Sequence, residues 1–142
     1  MVKKKVLFVC VHNSARSQMG EAFLKQIAGD KFEVESAGLE PGNLNPIVVE
    51  AMKEVGIDIS GNKTKSVFDM FKAGKIFQYV ITVCDESRSG KCPIFPSAIE
   101  RIHWGFDDPS SFKVRPGEKL EQTRKVRDKI KTTLEEWVKK FN

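Results

Sequence analysis

Apolar and polar positions fall in blocks along this chain, and the blocks predict strands and helices in alternation. Residues 5–10, Lys-Val-Leu-Phe-Val-Cys, form a β-rich apolar run, as expected of a central parallel strand buried on both faces. From Ser17 to about Ala28 the period changes. Met19, Phe23 and Ile27 recur on one helical face, and Gly29-Asp30 stops the helix. A short strand near Phe32–Ser36 leads into a loop containing Gly38, Pro41 and Gly42. Pro46 suits the first turn of a second helix, which runs to about Val55 before Gly56.

Further along, Ser66–Lys72 reads as a short helix, Phe77–Val83 as a second buried strand and Glu100–Trp104 as a weaker one. From Glu118 to Phe141, the residues Val126, Ile130, Leu134, Trp137 and Phe141 keep helical spacing, a stripe that belongs to a core. Strands alternating with helices predict a three-layer α/β/α sandwich around a four-stranded parallel sheet. The chain has 142 residues with no repeat, low-complexity segment or linker, which fits one domain over 1–142.

Composition changes this picture little. Hydrophobic residues at 40% and charged residues at 30% exclude a disordered chain. No apolar run approaches the roughly 18–20 residues of a membrane span. The basic and then apolar start resembles a signal peptide only as far as His12-Asn13, and no small-residue cleavage site follows. A cytoplasmic protein is expected. The net charge of +5 is spread widely. Its densest stretch, Arg124-Lys125-Val126-Arg127-Asp128-Lys129, lacks the interleaved aromatics of a single-strand binder, so neither a nucleic-acid nor a membrane partner is expected. A positive field does help gather anions.

Cysteine is where the chemistry enters. Three cysteines are an odd number in a chain that needs no staples, which in a reducing compartment leaves metal binding, catalysis or burial. No Cys-x-x-Cys occurs and neither His12 nor His103 stands at zinc-ligand spacing, so no metal site is expected. Cys10 ends the first strand while Arg16 and Ser17 open the first helix, with Val11, His12, Asn13, Ser14 and Ala15 between them. A loop running from a strand's carboxyl end into a helix N-terminus aims backbone N–H groups and a positive dipole end at one point.

That point suits an oxyanion, and the residue types agree. A thiol of ordinary pKa about 8.5 is brought down by a helix N-terminus and a neighbouring cation. Arg16 holds two substrate oxygens in its planar fork. Ser17 offers a hydrogen bond to the thiolate, and Asn13 tolerates the left-handed backbone that curls a loop inward.

A thiolate displacing an oxygen needs a proton donor for the leaving group. Asp108 is the candidate, held extended by Pro109, although Asp-Pro is as often a simple turn. Cys84 follows the second buried strand, at the same sheet edge as Cys10, and Cys92 comes eight residues later across a polar stretch. Three thiols so arranged fit a relay better than chance.

With these pieces in place, the chain resembles the thioredoxin-coupled arsenate reductases, which share the low-molecular-weight protein tyrosine phosphatase fold. The resemblance spans nearly all of it. It rests on Cys-Val-His-Asn-Ser-Ala-Arg-Ser-Gln-Met at 10–19, Glu-Ser-Ala-Gly at 35–38, Asn45-Pro46, Cys84 and Cys92 with Pro93, and His-Trp-Gly-Phe-Asp-Asp-Pro at 103–109. It implies that Cys10 attacks arsenate (phosphate and sulfate being analogues) while Asp108 protonates the departing oxygen. Cys84 then takes the Cys10 sulfur as arsenite leaves, Cys92 moves the disulfide to 84–92, and thioredoxin reduces it. Thiols supply both electrons, so no bound cofactor is expected. Were 84–92 helical, eight steps of about 1.5 Å would part the two Cα atoms by roughly 12 Å. A disulfide needs about 4.4–6.8 Å, which predicts local refolding during turnover.

Two departures from the family stand out. Some members hold a potassium ion on residues matched by Asn13, Glu21 and Ser36, with a carboxylate from the segment near residue 65. Here that segment is Asn62-Lys63-Thr64-Lys65-Ser66, so either a lysine supplies the positive charge or the site is absent. The interval between the second and third cysteines is also one residue longer than in some members. The alternative is a low-molecular-weight tyrosine phosphatase. Those enzymes carry tyrosines just after the Asp-Pro, where this chain has Ser110-Ser111-Phe112.

Overall fold

The computed structural model describes residues 3–83, 95, 98–106 and 116–141. The first apolar run becomes β1 (Lys4–Cys10), followed by α1 (Arg16–Ala28), β2 (Phe32–Gly38), α2 (Pro46–Lys53) and α3 (Val67–Lys72). The remaining elements are β3 (Tyr79–Thr82), β4 (Glu100–His103), α4 (Pro116–Val138) and a 3₁₀ turn over Lys139–Phe141. The sheet has four strands in the order β2-β1-β3-β4, and every pairing is parallel.

Alternation along β1 divides the core in two, as a strand's two-residue side-chain period requires. Val6, Phe8 and Cys10 face a cluster with Met19 and Phe23 of α1 and Ile130, Leu134 and Trp137 of α4. Leu7 and Val9 face the opposite layer, with Val67 and Met70 of α3 and with Phe77 and Phe95. β1 is thus covered on both sides, which is why its sequence reads as unbroken apolar. Helix α1 lies close over it: a Cβ on Gly20 would stand 2.8 Å from the Phe8 ring. The bare Cα of Gly20 lets the first helix seat against the strand that carries Cys10.

Element edges differ from the sequence reading where bonds leave the regular ladder. β2 runs two residues beyond Ser36, because Ala37 and Gly38 pair with Val9 and Cys10. β3 begins at Tyr79 rather than Phe77. Phe77 is buried in the second core cluster, while Gln78 exchanges bonds with Lys5 and accepts from the amides of Ile99 and Glu100. Pro46 does open α2, and Asn45 caps it by accepting from the Ile47 amide at 2.9 Å. The parallel sheet thereby places the ends of β1 and β2 and the start of α1 at one edge.

Candidate active site

Between Cys10 and Arg16 the chain reverses from β1 into α1, and the carbonyls of this turn share a pattern. Cys10 O accepts from the Leu39 amide (3.1 Å), Val11 O from Glu40 (2.7 Å), His12 O from Gly42 (3.0 Å) and Ser14 O from Asn45 (3.0 Å). Asn13 O accepts from the Gln18 side chain at 3.1 Å, and Ala15 O from the Met19 amide at 3.0 Å. Every carbonyl from Cys10 to Ala15 is therefore bonded to groups outside the loop. In a trans peptide the N–H points opposite to the C=O, and no cis bond occurs among the described residues. The N–H groups of Val11 through Arg16 consequently point away from those outside partners. One of them shows its target directly, since Asn13 N–H donates to Cys10 Sγ at 3.2 Å.

Asn13 makes the reversal possible. Its φ is 55°, and it is the one non-glycine with positive φ among the described residues. Short polar side chains visit that left-handed region more readily than others do. Its side-chain amide donates from Nδ2 to Ser17 Oγ at 2.8 Å, and Ser17 Oγ lies 2.8 Å from Cys10 Sγ. Cys10 is 3% exposed and Ser17 and Asn13 are fully buried, so these bonds face little competition from water.

Arg16 begins α1 and is buried to 3% exposure, with Nη1 donating to Phe106 O at 3.1 Å. That contact ties the loop to the residue two positions before Asp108. A thiol that meets an N–H group and a hydroxyl at the start of a helix opened by an arginine can receive a tetrahedral anion and attack its centre.

The model of the family described as low molecular weight phosphotyrosine protein phosphatase matches residues 5–142. The chain belongs to that family. Within its wider relationships, the chain is 44% identical to an arsenate reductase of Bacillus subtilis over 137 residues, which is 96% of each chain. It is 43% identical to arsenate reductase 2 of Staphylococcus haemolyticus over 135 residues, 95% of this chain and 96% of that one. Among solved structures, an arsenate reductase in the phosphate binding state superposes with a TM-score of 0.79 at 33% identity, covering 98% of this chain and 99% of that one. A tyrosine phosphatase of Erwinia amylovora shares the fold, with a TM-score of 0.76 at 19% identity over 97% of this chain and 93% of that one.

Of the residues singled out from the sequence, the structure brings together Cys10, Val11, His12, Asn13, Ser14, Ala15, Arg16 and Ser17. Cys84, Cys92, Asp107 and Asp108 lie outside the described residues. The Glu21 and Asn13 side-chain oxygens matched to the family's potassium site are taken by donors. Glu21 Oε1 accepts from Ser36 Oγ at 2.5 Å and lies 3.8 Å from Lys65 Nζ, while Glu21 Oε2 accepts from Lys25 Nζ at 2.6 Å. Asn13 Oδ1 accepts from the Lys65 amide at 2.9 Å and from Gln18 Nε2 at 3.2 Å. These residues do not suit a metal cation, because two lysines already bring positive charge to Glu21.

Sequence reasoning missed Gly38 and Gln18. A Cβ on Gly38 would lie 2.7 Å from Asn13 N, 2.8 Å from His12 C and 2.8 Å from Val11 O, so only glycine lets β2 approach the loop. The available signal was the Glu-Ser-Ala-Gly run itself, a glycine directly after a strand pattern, which marks close backbone approach. Gln18 is fully buried, and nothing in the period of its helix, where Glu21 and Lys25 share its side, marked it.

Proposed function

We propose that this chain reduces arsenate to arsenite, with the Cys10 thiolate as nucleophile and thioredoxin as the electron source. The observation that carries the proposal is the loop's hydrogen bonding, with carbonyls from Cys10 to Ala15 bonded to groups outside the loop and the Asn13 N–H directed at the buried Cys10 thiol. A strand-to-helix loop whose amides are free of backbone carbonyls within it, followed by Arg16 at the helix start, suits a tetrahedral oxyanion. The relatives named as arsenate reductases support arsenate as that anion, with phosphate and sulfate as analogues.

In the first step Cys10 Sγ attacks arsenic and a sulfur–arsenic bond forms as an arsenic–oxygen bond breaks. Asp108 supplies the proton that leaves with that oxygen as water. The Cys84 thiolate then attacks the Cys10 sulfur. The electron pair of the sulfur–arsenic bond stays with arsenic, As(V) becomes As(III), and arsenite departs from a Cys10–Cys84 disulfide. Cys92 attacks Cys84, Cys10 leaves as thiolate, and the thioredoxin dithiol reduces the 84–92 disulfide. The three cysteines fit a reducing cytoplasm, where we place the reaction. The whole chain, 1–142, acts as one domain.

Phosphotyrosine hydrolysis is the second reading on this fold. Against it, the chain's one tyrosine is Tyr79, 7% exposed in β3, and Ser110-Ser111-Phe112 follows Pro109. The test is NADPH oxidation with arsenate, thioredoxin and thioredoxin reductase, run beside a glutathione–glutaredoxin system and beside p-nitrophenyl phosphate hydrolysis. NADPH consumption requiring both arsenate and thioredoxin is expected. Hydrolysis without arsenate-dependent oxidation in either reducing system would replace the reductase with the phosphatase.

A further inference from the structure

We propose that Gln18, one residue beyond the Cys10–Ser17 loop, is a positioning residue that directs the Ser17 hydroxyl proton at the Cys10 sulfur by fixing Asn13. The inference rests on the reading of Cys10 as nucleophile and extends it to a residue that touches neither the thiol nor a substrate.

Backbone groups settle the direction of each bond in the network. The Lys65 main-chain N–H can only donate, and it donates to Asn13 Oδ1 at 2.9 Å. The oxygen of the Asn13 amide therefore faces Lys65, and Nδ2 faces Ser17, donating to its Oγ at 2.8 Å. With that oxygen accepting from Asn13, the Ser17 hydrogen is left for Cys10 Sγ, 2.8 Å away. The thiolate then receives two donors, Ser17 O–H and Asn13 N–H.

Gln18 holds Asn13 at both of its oxygens. Carbonyls can only accept, so the Gln18 amide nitrogen must face Asn13 O (3.1 Å) and Lys63 O (3.2 Å), with Asn13 Oδ1 at 3.2 Å sharing a hydrogen. Its own Oε1 accepts from Asn62 Nδ2 at 3.1 Å. Gln18 thus joins the 62–65 segment to the residue whose left-handed backbone turns the loop. The side chain is fully buried, where the loss of its donors leaves the Asn13 and Lys63 carbonyls uncompensated.

Alkylation of Cys10 by iodoacetamide reads this directly and needs no arsenate. Gln18→Met, which keeps the volume and removes the amide, is expected to slow alkylation at pH 7 by about three- to tenfold. The loss should vanish at pH 10, where the thiol ionises without help from its donors. In an Asn13→Ala background the same substitution should add no further loss, because Gln18 acts through Asn13. Equal slowing at both pH values, additive losses, or an unchanged rate at pH 7 would each overturn the proposal. Should Gln18→Met fail to fold, the exposed Asn62→Ala carries the same cycle, with a smaller loss of the same pH pattern expected and no loss overturning it. A wild-type thiol no faster than free cysteine at pH 7 would instead sink the nucleophile itself. A fast wild-type thiol with unaffected variants would sink only the role of Gln18.

Discussion

The polar network of Cys10, Asn13 and Ser17 and the aromatic cluster around Trp137 both centre on buried residues, but they are held in opposite ways. Around Cys10, the polar contacts are directional bonds, and several come from main-chain amides. Around Trp137, four rings converge without any required direction: Phe32 at 5.4 Å, Phe141 at 4.8 Å, Tyr79 at 5.5 Å and Trp104 at 6.0 Å between centroids. Phe32 and Tyr79 are the first residues of β2 and β3, at the sheet edge remote from Cys10. Apolar packing sums many small gains with no preferred direction, so it has no single angle to keep. The polar network does, because hydrogen bonds weaken steeply off angle. The loop therefore carries chemistry at little cost to the fold, and the aromatic cluster carries stability with little say in the chemistry.

Substitution on each side of that divide sharpens it. The largest effect on turnover is expected from Gly38→Ala, whose new Cβ would have backbone atoms of the loop as its three nearest neighbours, at 2.7–2.8 Å. The loop must shift, and a displacement approaching 1 Å costs on the order of 10²-fold in rate. Steady-state kinetics beside a thermal melt should show kcat/KM falling far more than Tm. Next comes Trp137→Ala, which removes a ring that is 4% exposed. A loss of about 3–5 kcal/mol in urea unfolding is expected, with turnover per folded molecule within about twofold of wild type. Comparable damage to rate and stability in both variants would erase the distinction.

The smallest effect is expected from Glu54→Gln, at the end of α2. Its carboxylate accepts from Arg124 Nη2 at 2.6 Å and from Arg124 Nε at 2.8 Å and 3.1 Å, and from Arg127 Nη1 at 2.9 Å. The Arg124 hydrogen bond chiefly, with help from Arg127, holds this carboxyl down to about 2. A carboxyl lowered on folding stabilises the protein above its unfolded value near 4.5, and that contribution fades as pH falls toward 2. Melts should show the variant below wild type by a few degrees at most at pH 7, with the two converging near pH 2. A constant gap across that range would remove Glu54 from the acid response.

The sheet was legible because β1 and β3 are buried on both faces and read as apolar runs. The long helix was legible because Val126, Ile130, Leu134 and Trp137 are all buried at helical spacing. Strand ends were not. The pairing of Gly38 with Cys10 leaves no trace in hydrophobic period, and Gln78 exchanges bonds with Lys5, seventy-three residues away. At the site, Cys10, Arg16 and Ser17 could be found because the strand–loop–helix turn is local. The Asn62 and Gln18 contact spans forty-four residues, and the bond from the Lys65 amide to Asn13 spans fifty-two. Contacts of that kind depend on how the layers close, which local pattern does not encode.

The relay is tested most directly by a single-turnover experiment with Cys92→Ser, reduced beforehand and mixed with excess arsenate and the thioredoxin system. The account predicts one arsenite per chain, after which turnover stops and peptide mass spectrometry of the non-reduced protein finds Cys10 joined to Cys84. Repeated turnover by this variant, or arsenite release with no bond between Cys10 and Cys84, would contradict it.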